Sequence, residues 1–213
     1  MALPKIAAYD LPTVHDLPAA RGPWIPEVHR LALLVHDMQR YFCAPYPTDR
    51  APLPEVTHNI ERLIQAARRA GIPVLYTAQE GDQFRPDRGL QADLWGPGMR
   101  DTPEHCGIID ALAPQSEDVV LVKHRYSAFQ RSNLEHLLRA RGRDQILITG
   151  IYAHIGCLAT AADAFQRDFE NFAVVDAQAD FDRTHHEMAM HWVASTCGGI
   201  GTTDQVLQVL EEN

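Results

Sequence analysis

The residues able to do chemistry in this chain sit where apolar runs stop. The run "LALLVHDMQRYF" gives five consecutive apolar residues and then His36, Asp37, Gln39 and Arg40. A second run ends in Thr77 and Gln79, a third in Lys123 and Arg125, and a fourth in Tyr152 before the turn "AHIGC". An acid, an amide, a base and a phenol at strand ends form a set suited to general acid–base chemistry. In an open α/β sheet those ends lie on one edge, where ligands bind near the reversal of strand order. Taken singly, Asp37 reads as a helix N-cap and Lys123 as a solvated strand end. Taken together they mark a cleft.

The stretch "TAQEGDQFRPDRGLQADLWGPGMR" (77–100) is a long connection with the character of a binding loop. In it, Arg88 is able to pair side-on with a carboxylate, and Trp95 to cover an apolar ring. The plainer alternative is a surface loop with an anchoring Trp. Metal and nucleotide chemistry find little support. His185 and His186 are adjacent and diverge on a helix, and no third ligand stands at zinc-site spacing. "GGIG" lacks the rest of a dinucleotide or phosphate loop. No cofactor and no metal are expected.

The elements that must position these groups follow from the hydrophobic pattern. Five runs, "LALLVHD" (31–37), "IPVLYTAQ" (72–79), "DVVLVKH" (118–124), "QILITGIY" (145–152) and "FAVVDAQAD" (172–180), read as buried strands, with a weaker sixth at "GGIGTTD" (198–204). Between them, "PEVTHNIERLIQAARRAG" places Val56, Ile60, Leu63, Ile64 and Ala67 on one face and ends at Gly71. "SNLEHLLRARG" and "TTDQVLQVLEE" both open with capping-box spacing, Ser132 to Glu135 and Thr202 to Gln205. Continuous apolar strands alternating with amphipathic helices predict a three-layer, Rossmann-like α/β domain, its central six-stranded sheet mostly parallel and flanked by helices. Residues 1–30 hold five prolines and no period, so they read as an arm packed on a single domain, 31–213.

Bulk properties narrow the partners. A net charge of −9 with no basic cluster argues against nucleic acid or an anionic membrane surface. No signal-peptide pattern opens the chain, and no run reaches the roughly 18 apolar residues of a membrane helix. Cys43, Cys106, Cys157 and Cys197 are widely spaced, which suits free thiols in a cytoplasmic protein.

The motifs "VHDMQRYF", "YTAQ", "DLWGPGM", "LVKHRYSAF" and "TGIYAHIGCLATAADAF" closely resemble isochorismatases, relatives of the cysteine hydrolases. The similarity runs from "LPKIAAYDLP" to "TTDQVL". Cysteine hydrolases carry their nucleophile six residues after a strand-end Gly. Here that count from Gly150 reaches Gly156, and Cys157 is one position late, about 100° around a helical turn. Isochorismatases share this glycine. An acid, a lysine and a pocket enlarged by the missing side chain suit hydrolysis of a vinyl ether without a covalent intermediate.

The resemblance therefore implies isochorismate as substrate, cleaved to pyruvate and 2,3-dihydro-2,3-dihydroxybenzoate. It makes Asp37 the general acid to carbon, with a pKa raised by burial. It gives Lys123 a second role, pairing with a substrate carboxylate or orienting Asp37. Gln79, Arg88, Tyr152 and the backbone of Gly156 would hold the carboxylates and hydroxyl, with Phe42 and Trp95 as the apolar wall. His124 departs from the Trp that isochorismatases tend to carry there. The rival readings are the same ether cleavage on 2-amino-2-deoxyisochorismate, as in phenazine-type pathways, an amidohydrolase using Cys157, and a non-catalytic scaffold. Some siderophore-type members add a carrier domain, which this chain, stopping at "TTDQVLQVLEEN", has no room for. The family pattern also implies a homodimer.

Overall fold

A computed structural model describes residues 3–16 and 19–211; positions 1, 2, 17 and 18 of the expected arm, and 212 and 213 of the last quoted run, lie outside the described residues. Six strands form one sheet: β1 (Leu31–His36), β2 (Val74–Ala78), β3 (Val119–Val122), β4 (Gln145–Ile151), β5 (Glu170–Ala179) and β6 (Gly199–Gly201). Their order is β3-β2-β1-β4-β5-β6, and every neighbouring pair is parallel. The chain builds outward from β1 to β3, then returns to lay β4 on the other side of β1. That reversal places the crevice at the carboxyl ends of β1 and β4.

The helices are α1 (Arg40–Cys43), α2 (Leu53–Arg69), α3 (Arg85–Arg88), α4 (Gln91–Trp95), α5 (Pro103–Cys106), α6 (Leu134–Ala140), α7 (Leu158–Phe165), α8 (Arg183–Thr196) and α9 (Thr203–Glu211). β1 is buried on both faces, and its residues alternate between two cores. Leu31, Leu33 and Val35 pack with Val56, Ile60 and Leu63 of α2 (Leu53–Arg69). Ala32 and Leu34 pack with Leu134 and Leu138 of α6 (Leu134–Ala140) and with Ala161 and Ala164 of α7 (Leu158–Phe165). Each such Leu, Ile or Val contributes about 1.5–3 kcal/mol by burial, and a charge at the fully buried Ile60 would also be taken out of water without a partner. α2 stops as expected at Gly71, whose φ of +66° suits a residue without Cβ. β1 and β4 approach closely where His36 faces Gly150. A Cβ at Gly150 would lie 2.1 Å from the His36 carbonyl oxygen, and its φ of +105° is a glycine conformation.

Two expectations are corrected. The run at 118–124 reads as a fully buried strand, yet β3 is the sheet edge and leaves Val120 and Val122 exposed. The Ser132–Glu135 capping box does not form. Ser132 Oγ donates to the Ala128 carbonyl, while Glu135 turns to Arg139 and Arg167. The second capping box does form. The Thr202 N–H donates to Gln205 Oε1 at 2.9 Å and the Gln205 N–H to Thr202 Oγ1 at 3.3 Å, at the start of α9 (Thr203–Glu211).

Before β1, the Ile6 side chain enters the first core and its N–H donates to the Pro45 carbonyl. Further along, the Arg21 N–H donates to the Ala194 carbonyl of α8 (Arg183–Thr196). Among the described residues, no helix is long and apolar enough to cross a membrane.

Candidate active site

Asp37 leaves β1 with φ +51°, a left-handed conformation that costs a non-glycine residue on the order of 1–3 kcal/mol. Its neighbours hold it there. The Asp37 N–H donates to Thr77 Oγ1 at 3.1 Å, and the Thr77 hydroxyl donates back to Asp37 Oδ1 at 2.6 Å. The other oxygen, Oδ2, lies 2.8 Å from Lys123 Nζ. Lys123 is buried, and its ammonium also donates to the carbonyls of Arg125 at 2.9 Å and Tyr126 at 3.4 Å. With three N–H groups and three acceptors, Lys123 has no donor to spare for a ligand. Of its two expected roles, the geometry favours orienting Asp37.

The expected raised pKa of Asp37 is corrected by its surroundings in this structure. Burial does push the carboxyl up. The Lys123 ammonium, His36 and the hydrogen bonds from Lys123 and Thr77 outweigh it, so Asp37 sits below its ordinary value. His36 itself is driven by burial down to about 4, against the pull of the Asp37 carboxylate, and is neutral at pH 7.

The expected binding residues meet at one cavity. Asp37, Lys123, Gln79, Arg88, Tyr152, Gly156, Trp95 and Phe42 all line it. Gln79 is fixed by Gln39, which accepts from the Gln79 N–H at 2.7 Å and donates to the Gln79 carbonyl at 2.8 Å. Its side-chain amide reaches Asp37 Oδ2 at 3.4 Å. Arg88, on α3 (Arg85–Arg88), is buried and donates from Nε to the Gly96 carbonyl at 2.7 Å. Burial lowers its pKa, opposed by Tyr41 and Tyr126, and no carboxylate among the described residues pairs with it. A desolvated guanidinium with no acidic neighbour is a receptor for an anion from outside. Gly98 permits this placement, since a Cβ there would lie 2.7 Å from Arg88 Nη1.

The wall is aromatic. Trp95, on α4 (Gln91–Trp95), donates from Nε1 to the Tyr126 hydroxyl at 2.7 Å and meets the Phe181 ring at 6.2 Å. Tyr152 stands edge-on to Phe42, and its hydroxyl donates to the Phe42 carbonyl at 2.7 Å, so toward a ligand it offers only its lone pairs. Leu3, Tyr41, Gln91, Tyr126, Ile151, Ile155 and Phe181 complete the lining and had not been singled out. Phe181 had a signal, because it lies just past the fifth apolar run, at the strand-end edge where ligands bind. Leu3 and Tyr41 had none. His124 is absent from the lining.

The turn after β4, Ala153–Cys157, closes with a wide bond from the Cys157 N–H to the Tyr152 carbonyl at 3.2 Å. Asp180 braces it by accepting from the His154 N–H at 2.6 Å and from the Phe181 N–H at 2.7 Å. Cys157 points into the second core, buried, and burial pushes its thiol well above the usual range. Gly156 faces the cavity, but the space a side chain would fill there holds the His36 ring. A Cβ on Gly156 would lie 2.2 Å from His36 Cε1. The expectation of a pocket enlarged by a missing side chain is thus corrected. Among the described residues, no cluster of three His, Cys, Asp or Glu side chains is placed to hold a metal ion.

Comparison with known proteins agrees with this geometry. A family model described as an isochorismatase domain matches residues 31–205. An isochorismatase of Bacillus subtilis is 46% identical over 99% of this chain and 68% of its own length. Enterobactin synthase component B of Escherichia coli is 47% identical over 97% of this chain and 73% of its own. Phenazine biosynthesis protein PhzD of Pseudomonas fluorescens is 48% identical over 96% and 98%. Among solved structures, a cysteine hydrolase from Pseudomonas syringae superposes with a TM-score of 0.82 at 29% identity, covering 92% of this chain and 98% of that one. With the family model covering residues 31–205 and relatives of this identity along nearly its whole length, the chain belongs to the isochorismatase family.

Proposed function

We propose that this chain hydrolyses the enolpyruvyl (vinyl) ether of isochorismate to pyruvate and 2,3-dihydro-2,3-dihydroxybenzoate, with Asp37 as the proton donor. One observation carries the reading. The Asp37–Lys123 pair opens onto the same apolar-walled cavity as the buried, acid-free guanidinium of Arg88, with no thiol facing it. The proton passes from the Asp37 carboxyl to the terminal methylene carbon, leaving an oxocarbenium ion and a carboxylate. Water adds to the cation and returns a proton to Asp37. The hemiketal then collapses, giving the ketone of pyruvate and the ring hydroxyl.

Proton transfer to carbon is the demanding step, worth about 10²–10⁴-fold from a placed acid. Asp37 must hold a proton when substrate is bound. Substrate carboxylates beside it and exclusion of water from the cavity both raise its pKa from the depressed unliganded value. Lys123 orients the carboxyl, and Arg88 takes a substrate carboxylate. Gln79, Tyr152 and the Gly156 backbone hold the remaining polar groups, and Phe42 and Trp95 cover the ring.

The cavity's charge favours isochorismate over its 2-amino analogue. Two cations and one carboxylate line it, which complements a dianion, whereas an added ammonium would have only Asp37 as counter-ion. PhzD-like relatives keep the amino analogue as the second reading. Pyruvate release from both substrates decides between them: a larger kcat/KM for the amino analogue overturns the choice of substrate, and no pyruvate from either overturns the activity. The same reading makes residues 31–213 the hydrolase domain, with the preceding arm laid over it. It puts the enzyme in the cytoplasm, where its free cysteines stay reduced. It also makes the enzyme a homodimer, supported by the exposed Leu90 and Leu94 beside the cavity, which equilibrium sedimentation would test.

A further inference from the structure

We infer that His36 is a positioning residue for Asp37, and that its ring and the bare backbone of Gly156 form an interlocking pair beneath the reacting acid. The inference rests on the reading of Asp37 as proton donor. His36 is fully buried, ends β1 and precedes Asp37 directly. Its Nδ1–H donates to the Ile151 carbonyl at 3.2 Å, at the end of β4. Its Nε2 accepts from the Thr160 hydroxyl of α7 at 3.3 Å. Thr160 Oγ1 in turn accepts from the Ala128 N–H at 3.0 Å, in the segment that follows Lys123. One ring therefore ties together the strand that carries the acid, the strand beside it, the helix behind them and the segment that carries the lysine.

The edge of that ring points at residue 156. A Cβ there would lie 2.2 Å from Cε1, 3.0 Å from Nδ1 and 3.1 Å from Nε2. Contacts this short cannot be relieved by a swing of the ring, because both nitrogens are bonded and no solvent adjoins it. His36 thus requires glycine at 156, and glycine at 156 lets the ring sit 3.7 Å from Asp37 Oδ2. Asp37 depends on this support because its backbone is left-handed, so any rotation of His36 passes straight into the carboxyl direction. A histidine that merely filled the core would not need to bond both β4 and α7, with Thr160 passing the link on to Ala128.

The test is a two-by-two set, His36→Ala, Gly156→Ala and the double variant, read by pyruvate release and by thermal unfolding. His36→Ala should lower kcat by about 10²-fold, the scale of a misplacement near 1 Å, with KM changed far less. His36→Asn, which keeps a donor for the Ile151 carbonyl, should recover part of that loss. Gly156→Ala should lower Tm in the parent chain, and the drop should at least halve in the His36→Ala background. Unchanged kcat in a folded His36→Ala overturns the positioning role. An equal Tm drop in both backgrounds overturns the interlock. Should His36→Ala not fold, His36→Asn is judged by the same two readouts. Failure of the Asp37 reading shows separately, as full turnover by Asp37→Asn with the His36–Gly156 coupling in Tm still present.

Discussion

Replacing Lys123 with methionine removes the ammonium paired with Asp37 and keeps an apolar stem of similar length. At 2.8 Å between Nζ and Oδ2, two unit charges attract by roughly 6 kcal/mol at an effective dielectric constant of about 20. Desolvation of both ions offsets much of this. Removing one partner of a buried pair costs about 3–5 kcal/mol because the survivor is left uncompensated. The survivor here is a carboxylate, so the cost depends on pH in a defined direction. In the parent chain Asp37 is depressed, so its stabilising contribution is present above the unfolded value of about 3.9 and is lost as pH falls through the lower folded value. In Lys123→Met, burial acts with little opposition, the folded pKa rises above the unfolded one, and the penalty grows as pH rises from about 4. Urea unfolding at pH 7 and pH 5 reads both effects. The stability gap between parent and Lys123→Met should narrow at pH 5, and Lys123→Met/Asp37→Asn should be more stable at pH 7 than Lys123→Met alone. Additive losses, or a gap indifferent to pH, would refute the pairing argument.

Three further outcomes follow from the same site. Arg88→Met removes hydrogen bonds to a charged ligand worth about 1.5–3 kcal/mol, so KM for isochorismate should rise about 10–100-fold with folding intact, and an unchanged KM would remove Arg88 from the carboxylate site. In the pH profile, kcat/KM reports the free enzyme and kcat the complex. Because protonated Asp37 is the active form and its carboxyl sits below the ordinary value in this structure, kcat/KM should already fall about tenfold per pH unit across the neutral range, while the fall in kcat begins at higher pH. Coincident limbs would mean that substrate does not raise Asp37. Finally, Cys157→Ala should keep its turnover, and a thiol alkylator should not inactivate the parent chain through a thiol that burial holds protonated. Substrate-protected inactivation that vanishes in Cys157→Ala would restore a nucleophilic role for sulfur.

The sheet was legible because β1, β2, β4 and β5 are buried on both faces, and such strands show as unbroken apolar runs. The edge position of β3 was not legible, since "VVLV" reads the same whether or not a neighbour covers it. Strand ends announced Asp37, Gln79, Lys123 and Tyr152 through the topology rule alone. Arg88 and Trp95 needed a loop read as functional, and Phe42 and Gly156 came only through family resemblance. His36 was named at its strand end but given no role, for a physical reason. A histidine before an acid carries no sequence signal of which way its ring turns, and its partner at 156 is defined by an absent side chain. That a nearby Lys123 ammonium would favour ionised Asp37 was legible. That it outweighs burial was not, because a 2.8 Å contact between positions 86 apart leaves no mark in the sequence.

The most direct test is the rate of pyruvate release by Asp37→Asn, measured on protein shown by urea unfolding to be folded under assay conditions. An amide of the same shape has no proton to give to carbon, so kcat should fall by about 10²–10⁴-fold or more, with substrate still bound through Arg88. Turnover within a few-fold of the parent chain would contradict the assignment and require the proton to come from elsewhere.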